Sequence, residues 1–400
     1  MPEYDNASVC PSTNGTPPNV AWRDWLVSMA LPLWCGDGFD HHRGLFHERL
    51  AWDGSPVPMG ALRLMVQARQ VATYCRAALD GLHDISQAAV RCLDIVERLY
   101  HGSDGSPGWI FSLSADGAPA DRRRDLYAHA FILFAYGWAI RLTGEDRYRR
   151  IARRTADEIE RIFAAENGGY KDVVPAMDEL RRQNPHMHLL EAYLVLFEVT
   201  GDAFYHDRIR ALTKLGLDHL IDPRSGLLLE FFDCGWLPSE PAGRNRVEPG
   251  HLFEWAWLLH EYERLAAPGG AEADLLHATT ERLFHVGLSK GSDPSRTGFV
   301  YDAMTDDGVV FERSTRIWPQ TELLRLLCRR RDLGRNDGVL THRISLGFLE
   351  RYAPVRLGGG WIDRLDEAGA PLVDHMPASS LYHIYGAGRE MVRFETVLPD

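Results

Sequence analysis

The chain has 400 residues, of which 45% are hydrophobic and 25% are charged, and its formal net charge is −12. This is the composition of a globular protein with a large core. The acidic balance argues against nucleic acid or an anionic membrane as the main partner, because both recognise basic surfaces. The six cysteines are scattered without the spacing of metal ligands, which predicts a reduced, cytoplasmic protein.

The first residues of the chain lack both the basic and the apolar segment of a signal peptide, so residues 1–20 are predicted to form a flexible tail. No linker or low-complexity segment divides the remainder, and residues 21–400 are predicted to form a single domain. The longest apolar run, residues 128–140, is too short to span a bilayer and is predicted to be a buried helix.

A short phrase recurs along the chain: a glycine, aromatic or aliphatic residues, an alternating stretch and an Asp-Gly or similar turn. These features are typical of a short β-hairpin. The copies start roughly sixty residues apart, a period that suits one helical hairpin and a long loop. Clear copies start at Gly44, Gly108, Gly298 and Gly359, and weaker ones at Gly168 and Gly226.

Between these phrases the sequence predicts two helices per unit. Residues 127–143 form an apolar run, a Gly-Glu-Asp break follows, and residues 147–165 are amphipathic. Residues 187–221 repeat this pattern, including a Thr-Gly-Asp break. Six such units, about twelve helices, predict an all-α fold of the (α/α)6 barrel type, in which every unit packs on two neighbours. The short hairpins are expected on one loop face.

Polar residues recur near the start of each predicted inner helix, and in a ring they would point to one pocket. In EPGHLFEW, a histidine and a glutamate stand one helical turn apart, so the carboxylate could orient the imidazole. The recurrence at one register predicts a shared polar site. Its candidate residues are Arg69, His129, Asn184, His188, His251, Glu254, Trp318, Gln320 and His383.

These residue types suit proton transfer next to a sugar carbonyl. Two imidazoles can act as acid and base near neutral pH, and Arg69 can stabilise a developing oxyanion. Trp318 offers a flat surface to a sugar ring, and Asn184 and Gln320 match its hydroxyls. A metal site is the competing interpretation, but HExxH is absent and no second carboxylate falls at ligand spacing. A glycosidase is disfavoured because histidines outnumber acids in this set.

Five motifs, VQARQ, RRDLYAHAF, EPGHLFEW, RIWPQTE and PASSLYHIY, resemble the N-acylglucosamine 2-epimerase superfamily, and the resemblance runs from Trp22 to Arg393. It implies an (α/α)6 barrel that isomerises or epimerises aldoses through a cis-enediol, without metal or other cofactor. It also implies that His251 and His383 are the acid/base pair, that Glu254 orients His251 and that His188 helps open the sugar ring. By the same resemblance, Arg69, Asn184 and Trp318 bind the sugar.

The preferred expectation is an aldose–ketose isomerase that converts D-mannose to D-fructose, because size and motifs resemble the bacterial mannose isomerases. A sugar 2-epimerase of the N-acylglucosamine or cellobiose type remains the alternative. A sugar phosphate also remains open, since Arg244 and Arg246 lie just before EPGH. A binding protein without catalysis is disfavoured because both histidines are present. The only partner expected is a small sugar, with the chain a monomer or homodimer.

Overall fold

The computed structural model describes residues 16–293, 297–335 and 337–393, and most of these residues are helical. The first helix begins at Pro18, a residue type whose fixed φ suits a helix start. Residues 18–20 therefore belong to a helix, which corrects the boundary of the predicted tail. Residues 1–15 of that tail lie outside the described residues.

The helices follow one another mostly in pairs joined by short connections. In chain order they are α1 (Pro18–Trp25), α2 (Leu31–Cys35), α3 (Leu64–Leu79), α4 (Ser86–Tyr100), α5 (Leu126–Thr143), α6 (Asp146–Phe163), α7 (Gln183–Thr200), α8 (Ala203–Leu215), α9 (Pro249–Ala266), α10 (Ala271–Gly291), α11 (Ile317–Asp332), α12 (Gly338–Gly347) and α13 (Leu381–Arg393). Short π-helical turns extend three of them, at Leu26–Ala30, Gly216–Leu220 and Phe348–Tyr352. The predicted helical pairs are confirmed.

Six of these helices, α3, α5, α7, α9, α11 and α13, are here called the inner helices. Each contacts the next one along the chain, and α13 also contacts α3, so the contacts form a closed sequence. Most of their side chains are buried, as in α5, where an uninterrupted run from His129 to Ile140 is buried. The fold is therefore helix-rich and consistent with an α-helical barrel.

The remaining helices, here called the outer helices, are amphipathic and cover the inner ones. In α6, Tyr148, Ala152 and Ile159 are buried, whereas Arg150 and Arg153 are exposed. The first outer helix, α1, packs on α13, so the start of the described chain lies against its end.

Glycines mark the predicted breaks between inner and outer helices. Gly144 and Gly201 end α5 and α7 with φ angles of 70° and 67°, a left-handed conformation in which a side chain is strained. Asp202 then caps α8, because its carboxylate accepts a hydrogen bond from the Phe204 backbone N–H at 2.9 Å.

Short strands precede and connect the helical pairs. They are β1 (Phe39–Asp40), β2 (Leu45–Phe46), β3 (Arg49–Ala51), β4 (Ala61–Arg63), β5 (Ser112–Ser114), β6 (Pro119–Asp121), β7 (Arg124–Asp125), β8 (Val173–Val174), β9 (Arg181–Arg182), β10 (Phe231–Phe232), β11 (Arg246–Val247), β12 (Ala303–Thr305), β13 (Val310–Glu312), β14 (Thr315–Arg316), β15 (Arg364–Leu365) and β16 (His375–Pro377).

Strand pairing differs from the prediction in one respect. The phrases after Gly108 and Gly298 do form the hairpins β5–β6 and β12–β13. The strand before each inner helix, however, pairs with the next connection along the chain, as β4 does with β5 and β14 with β15. The last such strand, β16, pairs with β3. Pairing thus links each unit to its neighbour, which single-hairpin signals in a sequence do not indicate.

Buried aromatic residues join the first and last units of the core. Trp22 stacks on Phe348 with ring centroids 4.5 Å apart, and its indole N–H donates to Ser345 Oγ at 2.8 Å. Within the described residues, none of the helices combines the length and the apolar character needed to cross a membrane. The described cysteines are free thiols.

Candidate active site

The polar residues predicted to share a pocket lie in the first two turns of the inner helices, directly after the short strands. His251 and His383 are the third residues of α9 and α13, and Trp318 is the second residue of α11. Arg69 and His188 are the sixth residues of α3 and α7. Equivalent positions in neighbouring inner helices lie at a similar height, so these side chains can converge.

The Pro-Gly pair before His251 allows a close approach between α9 and α11. Pro249 is the first residue of α9, where its missing N–H costs nothing. A Cβ on Gly250 would lie 2.6 Å from the Trp318 ring, so only glycine lets the indole come so near. The Trp318 ring consequently lies 4.7 Å from the His251 ring and 5.8 Å from the His383 ring. Both imidazoles border one indole.

His251 is oriented by a carboxylate from another segment. Its Nδ1 lies 2.9 Å from Glu230 Oε1 and 3.9 Å from Glu248 Oε2. Burial alone lowers the pKa of a histidine, but the charges of Glu230 and Glu248 outweigh burial and raise the pKa of His251. Gln183 Nε2 also lies 2.9 Å from Nδ1, so both of these contacts are made at Nδ1, which leaves Nε2 for a bound molecule.

His383 is also paired with a carboxylate through Nδ1, but its pKa is lowered instead of raised. Its Nδ1 lies 2.7 Å from Glu322 Oε1. Burial lowers the pKa of His383, Glu322 opposes this only in part, and the positive charge of Arg69 adds to the lowering. His251 therefore favours its protonated form and His383 its neutral form. Two groups whose pKa values are moved apart in this way are suited to act as acid and base.

Glu254 does not partner His251, which corrects the prediction from their spacing. The imidazole turns towards Glu230, and Glu254 lies one turn deeper, with Oε1 3.8 Å from His188 Nδ1. Glu254 is 1% exposed, and neither carboxylate oxygen has a hydrogen-bond partner among the described residues. Burial, followed by the charges of Glu322 and Glu191, raises the pKa of Glu254 well above its usual range. The protonated form, which can donate to a bound molecule, is thus favoured relative to an ordinary glutamate.

His188 lies above a buried ionic network. Its Nδ1 is 3.5 Å from Glu191 Oε2. Arg325 donates to Glu191 Oε1 at 2.9 Å and lies 3.4 Å from Glu322 Oε2. Burial lowers the pKa of His188 to about 3, despite the opposing effect of Glu191. His188 is therefore neutral at physiological pH and can accept a proton or a hydrogen bond.

Arg69 lies against aromatic rings beside these histidines. Its guanidinium is 4.0 Å from the centre of the Phe131 ring, and it hydrogen-bonds the Tyr127 hydroxyl. The same Phe131 ring lies 4.6 Å from the His188 ring, and the guanidinium lies 5.0 Å from the centre of the ring of Tyr382, the residue before His383. Arg69 is thus brought to the predicted pocket.

Asn184 lies at the start of α7, next to a residue of the His251 environment. The preceding Gln183 donates to Glu230 Oε2 at 3.0 Å and is fixed in this orientation by the Trp255 indole N–H. Asn184 Oδ1 is buried and has no hydrogen-bond partner among the described residues. This free acceptor is suited to a hydroxyl donor.

His129 has a structural role, which corrects its prediction as a sugar-binding residue. Its Nε2 accepts from the Trp109 backbone N–H at 3.1 Å, and its Nδ1 lies 2.7 Å from the Asp125 carbonyl oxygen. Both ring nitrogens are therefore occupied by the backbone. Burial lowers the pKa of His129 to about 4, so the ring is neutral.

The prediction that Gln320 binds a sugar hydroxyl is corrected for the same reason. Its Oε1 accepts from the Val300 N–H at 2.8 Å, and its Nε2 donates to the Val300 carbonyl at 2.9 Å. Gln320 and His129 are both fourth residues of inner helices, as are Gln67 and His186, which make equivalent backbone bonds. Polar residues do recur at equivalent positions of the inner helices. At the fourth position, however, their side chains hydrogen-bond the backbone of the preceding connection and hold it against the helix.

The carboxylates also form two overlapping groups that could hold a metal ion. One consists of His188, Glu191 and Glu254, and the other of Glu254, Glu322 and His383, with one ligand atom from each residue within 4.8 Å of the others. The sequence argument against a metal relied on ligand spacing along one segment. Such spacing cannot indicate these two groups, because their carboxylates come from different helices, and metal independence stays a prediction.

Sequence reasoning missed four charged residues of this site. Glu191, Glu322 and Arg325 lie in otherwise apolar runs, LLEAYLVLF and TELLRLLC, and a charge in a buried helix was a usable signal. Glu230 gave no such signal, because it lies beside β10 in one of the weaker hairpin phrases.

Comparison with known proteins agrees with this fold. The sequence pattern of the family described as N-acylglucosamine 2-epimerase (GlcNAc 2-epimerase) matches residues 44–387. A mannose-6-phosphate isomerase of Rhizobium meliloti (strain 1021) is 35% identical over 92% of this chain and 95% of its own length. A D-mannose isomerase of Thermobifida fusca is 30% identical over 85% of this chain and 87% of its own length.

Among solved structures, cellobiose 2-epimerase from Spirochaeta thermophila DSM 6192 superposes with a TM-score of 0.80 at 23% identity. The match covers 94% of this chain and 96% of that one. The motifs, the arrangement of the helices and these matches agree over nearly the whole length. The chain belongs to the N-acylglucosamine 2-epimerase family.

Proposed function

We propose that the chain interconverts D-mannose and D-fructose, an aldose–ketose isomerisation by metal-free proton transfer through a cis-enediol. Membership of the family supports sugar isomerase or epimerase activity in general. One observation carries the finer proposal: His251 and His383 border the same indole, and each has Nδ1 next to a carboxylate and Nε2 without a hydrogen-bond partner among the described residues. We also propose that the closed sequence of inner helices forms an (α/α)6 barrel with this pocket at its centre.

The proton transfer follows from the difference in basicity between the two histidines. Neutral His383 removes the proton from C2 of the open-chain aldose, and protonated His251 donates to the carbonyl oxygen O1, which gives the enediol. Protonated His383 then returns its proton to C1 while neutral His251 takes the O2 proton, which gives the ketose and restores both histidines. The positive charge of Arg69 stabilises the developing negative charge on oxygen.

Ring opening precedes these steps, and we assign it to His188 with Glu254. Neutral His188 accepts the proton of the anomeric hydroxyl. Neutral Glu254, whose pKa is raised by burial and by its acidic neighbours, donates to the ring oxygen. Both groups lie in the same layer, 3.8 Å apart. Trp318 and the free Oδ1 of Asn184 then hold the sugar through its C–H face and a hydroxyl.

A free sugar is preferred over a sugar phosphate. Arg246, which the sequence left open as a phosphate ligand, donates to Glu248 Oε1 at 2.9 Å and Glu312 Oε1 at 2.7 Å. Its charge is therefore already matched. The similarity to the mannose-6-phosphate isomerase of Rhizobium meliloti nevertheless makes mannose 6-phosphate the second substrate to assay.

The alternative function is a sugar 2-epimerase, which the family description favours. It requires the same enediol, but the proton returns to the opposite face of C2. The purified chain should be incubated with D-mannose, mannose 6-phosphate, N-acetylglucosamine and cellobiose in D₂O, and the products separated. Fructose with deuterium at C1 supports the proposal, whereas an epimer with deuterium at C2 supports the alternative. Turnover without hydrogen exchange or intramolecular transfer at either carbon would exclude the enediol.

A further inference from the structure

A cavity of about 520 Å³ lies among the C-terminal halves of the inner helices. Its wall residues Arg76 and Trp138 are each the thirteenth residue of their helix, whereas Arg69 and His188 of the candidate active site are sixth residues. Seven residues along an α-helix correspond to about 10 Å. The cavity therefore extends away from the pocket at the helix starts, with Glu191 and Arg325 between the two, and its volume is that of a small-molecule site.

Four buried hydrogen-bond donors on the cavity wall lack a hydrogen-bond acceptor among the described residues. They are Arg76 Nε and Nη1, Trp138 Nε1 and Arg329 Nε, the last of which lies 3.6 Å from Glu261 Oε1 in an ion pair. Arg76 is 2% exposed and Trp138 is 6% exposed. Buried polar groups are almost always paired, and an unmatched buried charge is strongly unfavourable. Since the unmatched atoms are all donors, the missing partner is an acceptor.

The other charges around the cavity are largely matched by one another. Seven arginines and six carboxylates line it. Asp80 accepts from Arg389 through both oxygens at 2.7 Å, and Glu191 accepts from Arg325 at 2.9 Å. Asp80 therefore has no free position for Arg76, although it lies in the same wall. Among the described residues, Arg76 has neither a hydrogen bond nor an ion pair with any of these carboxylates, whereas Arg329 Nε lies 3.6 Å from Glu261 Oε1.

Aromatic rings hold the Arg76 guanidinium in place without satisfying its donors. The guanidinium carbon lies 5.2 Å from the centre of the Trp138 ring and 5.3 Å from that of Tyr385. Burial, with the neighbouring Arg389 and Arg325, lowers the pKa of Arg76 to about 10. Arg76 thus stays positively charged at neutral pH.

We propose that this cavity is a binding site for a small organic anion, whose carboxylate or phosphate oxygens accept hydrogen bonds from Arg76 and Trp138. A planar guanidinium and an indole N–H together present several donors to such a group. The site lies directly beneath the layer of His188 and Glu322, because Arg325 lines the cavity and also contacts Glu191 and Glu322. It uses none of the residues assigned to the sugar.

The test is calorimetric titration of the full chain with inorganic phosphate and, separately, with citrate, at constant ionic strength. We expect saturable one-to-one binding of at least one probe, and the two titrations distinguish phosphate from carboxylate recognition. Arg76→Met should weaken binding about 10- to 100-fold, because it removes a charged hydrogen-bond donor. Trp138→Phe, which keeps a ring but loses the N–H, should weaken it less.

Arg153→Met on the exposed face of α6 is the matched control and should bind as the wild type does. Thermal unfolding checks the fold of each variant, and the bound anion should raise the Tm of the wild type but not that of Arg76→Met. If Arg76→Met fails to fold, Arg76→Lys and Trp138→Phe replace it, and both should bind the anion more weakly than the wild type. Absence of binding by both probes, or equal affinities in wild type, Arg76→Met and Trp138→Phe, would overturn the proposal.

Discussion

Replacement of Glu230 by glutamine tests how the site controls its acid. Glu230 Oε1 lies 2.9 Å from His251 Nδ1, and this carboxylate is the leading cause that raises the His251 pKa against burial. Glu230→Gln keeps the shape of the side chain and removes its charge. An opposite charge at this distance moves a pKa by about 1–3 units. We therefore expect the pKa of His251 to fall by an amount in that range.

The sign of the pH effect follows from the proposed role of His251. As an acid it must be protonated, so kcat/KM falls as pH rises through its pKa. In Glu230→Gln the pKa is lower, and the alkaline limb of the pH profile should move to lower pH. Turnover at the optimum should also fall, about 10- to 100-fold, because the partner that orients an imidazole is weakened.

The assay is the initial rate of fructose formation from mannose across a pH series, with kcat and KM separated. Glu248→Gln is the matched control, since Glu248 Oε2 lies 3.9 Å from the same nitrogen and also pairs with Arg246. Its shift should have the same direction and be smaller. An unchanged profile in Glu230→Gln together with a displaced one in Glu254→Gln would refute the assignment and restore Glu254 as the partner.

Three further predictions concern the histidines, the metal and the structural residues. Alanine at either His251 or His383 should lower turnover about 10²- to 10⁴-fold with an unchanged circular dichroism spectrum, and a variant with wild-type rates would remove that residue from the mechanism. Extensive chelation should leave activity nearly unchanged. A loss of activity that a divalent ion restores would instead indicate that the cluster of Glu254, Glu322 and His383 binds a metal ion. His129→Ala should cost about 1–3 kcal/mol in urea unfolding, because the Trp109 N–H is left unpaired; undiminished stability with weakened sugar affinity would return His129 to the substrate site.

The repeat was the most predictable part of the fold. Apolar and amphipathic helices alternate with a period near sixty residues, and the Thr-Gly breaks at Gly144 and Gly201 appear where the sequence places them. The pairing of each strand with the next connection was not predictable. Strands of two or three residues carry too little hydrophobic pattern to specify their partner.

The register of the site was predictable, but the role of each residue was not. Sequence spacing placed His251 and His383 at helix starts, where they lie beside Trp318. The direction in which each side chain turns depends on neighbours distant in sequence. His251 therefore contacts Glu230 instead of Glu254, and His129 bonds the backbone although its position in its helix is close to that of His251 and His383 in theirs.

The pairing of β16 with β3 has a consequence for how the chain is made. The strand at residues 375–377 pairs with residues 49–51. The β3 strand of the first unit therefore cannot pair until almost the entire polypeptide has been synthesised. Arg69 and His383 likewise come from opposite ends of the chain. During translation, helical pairs can form in succession, but the contacts between the inner helices close, and the proposed acid/base pair comes together, only after the final unit emerges from the ribosome. Shorter fragments would therefore expose their inner helices to solvent and would be inactive.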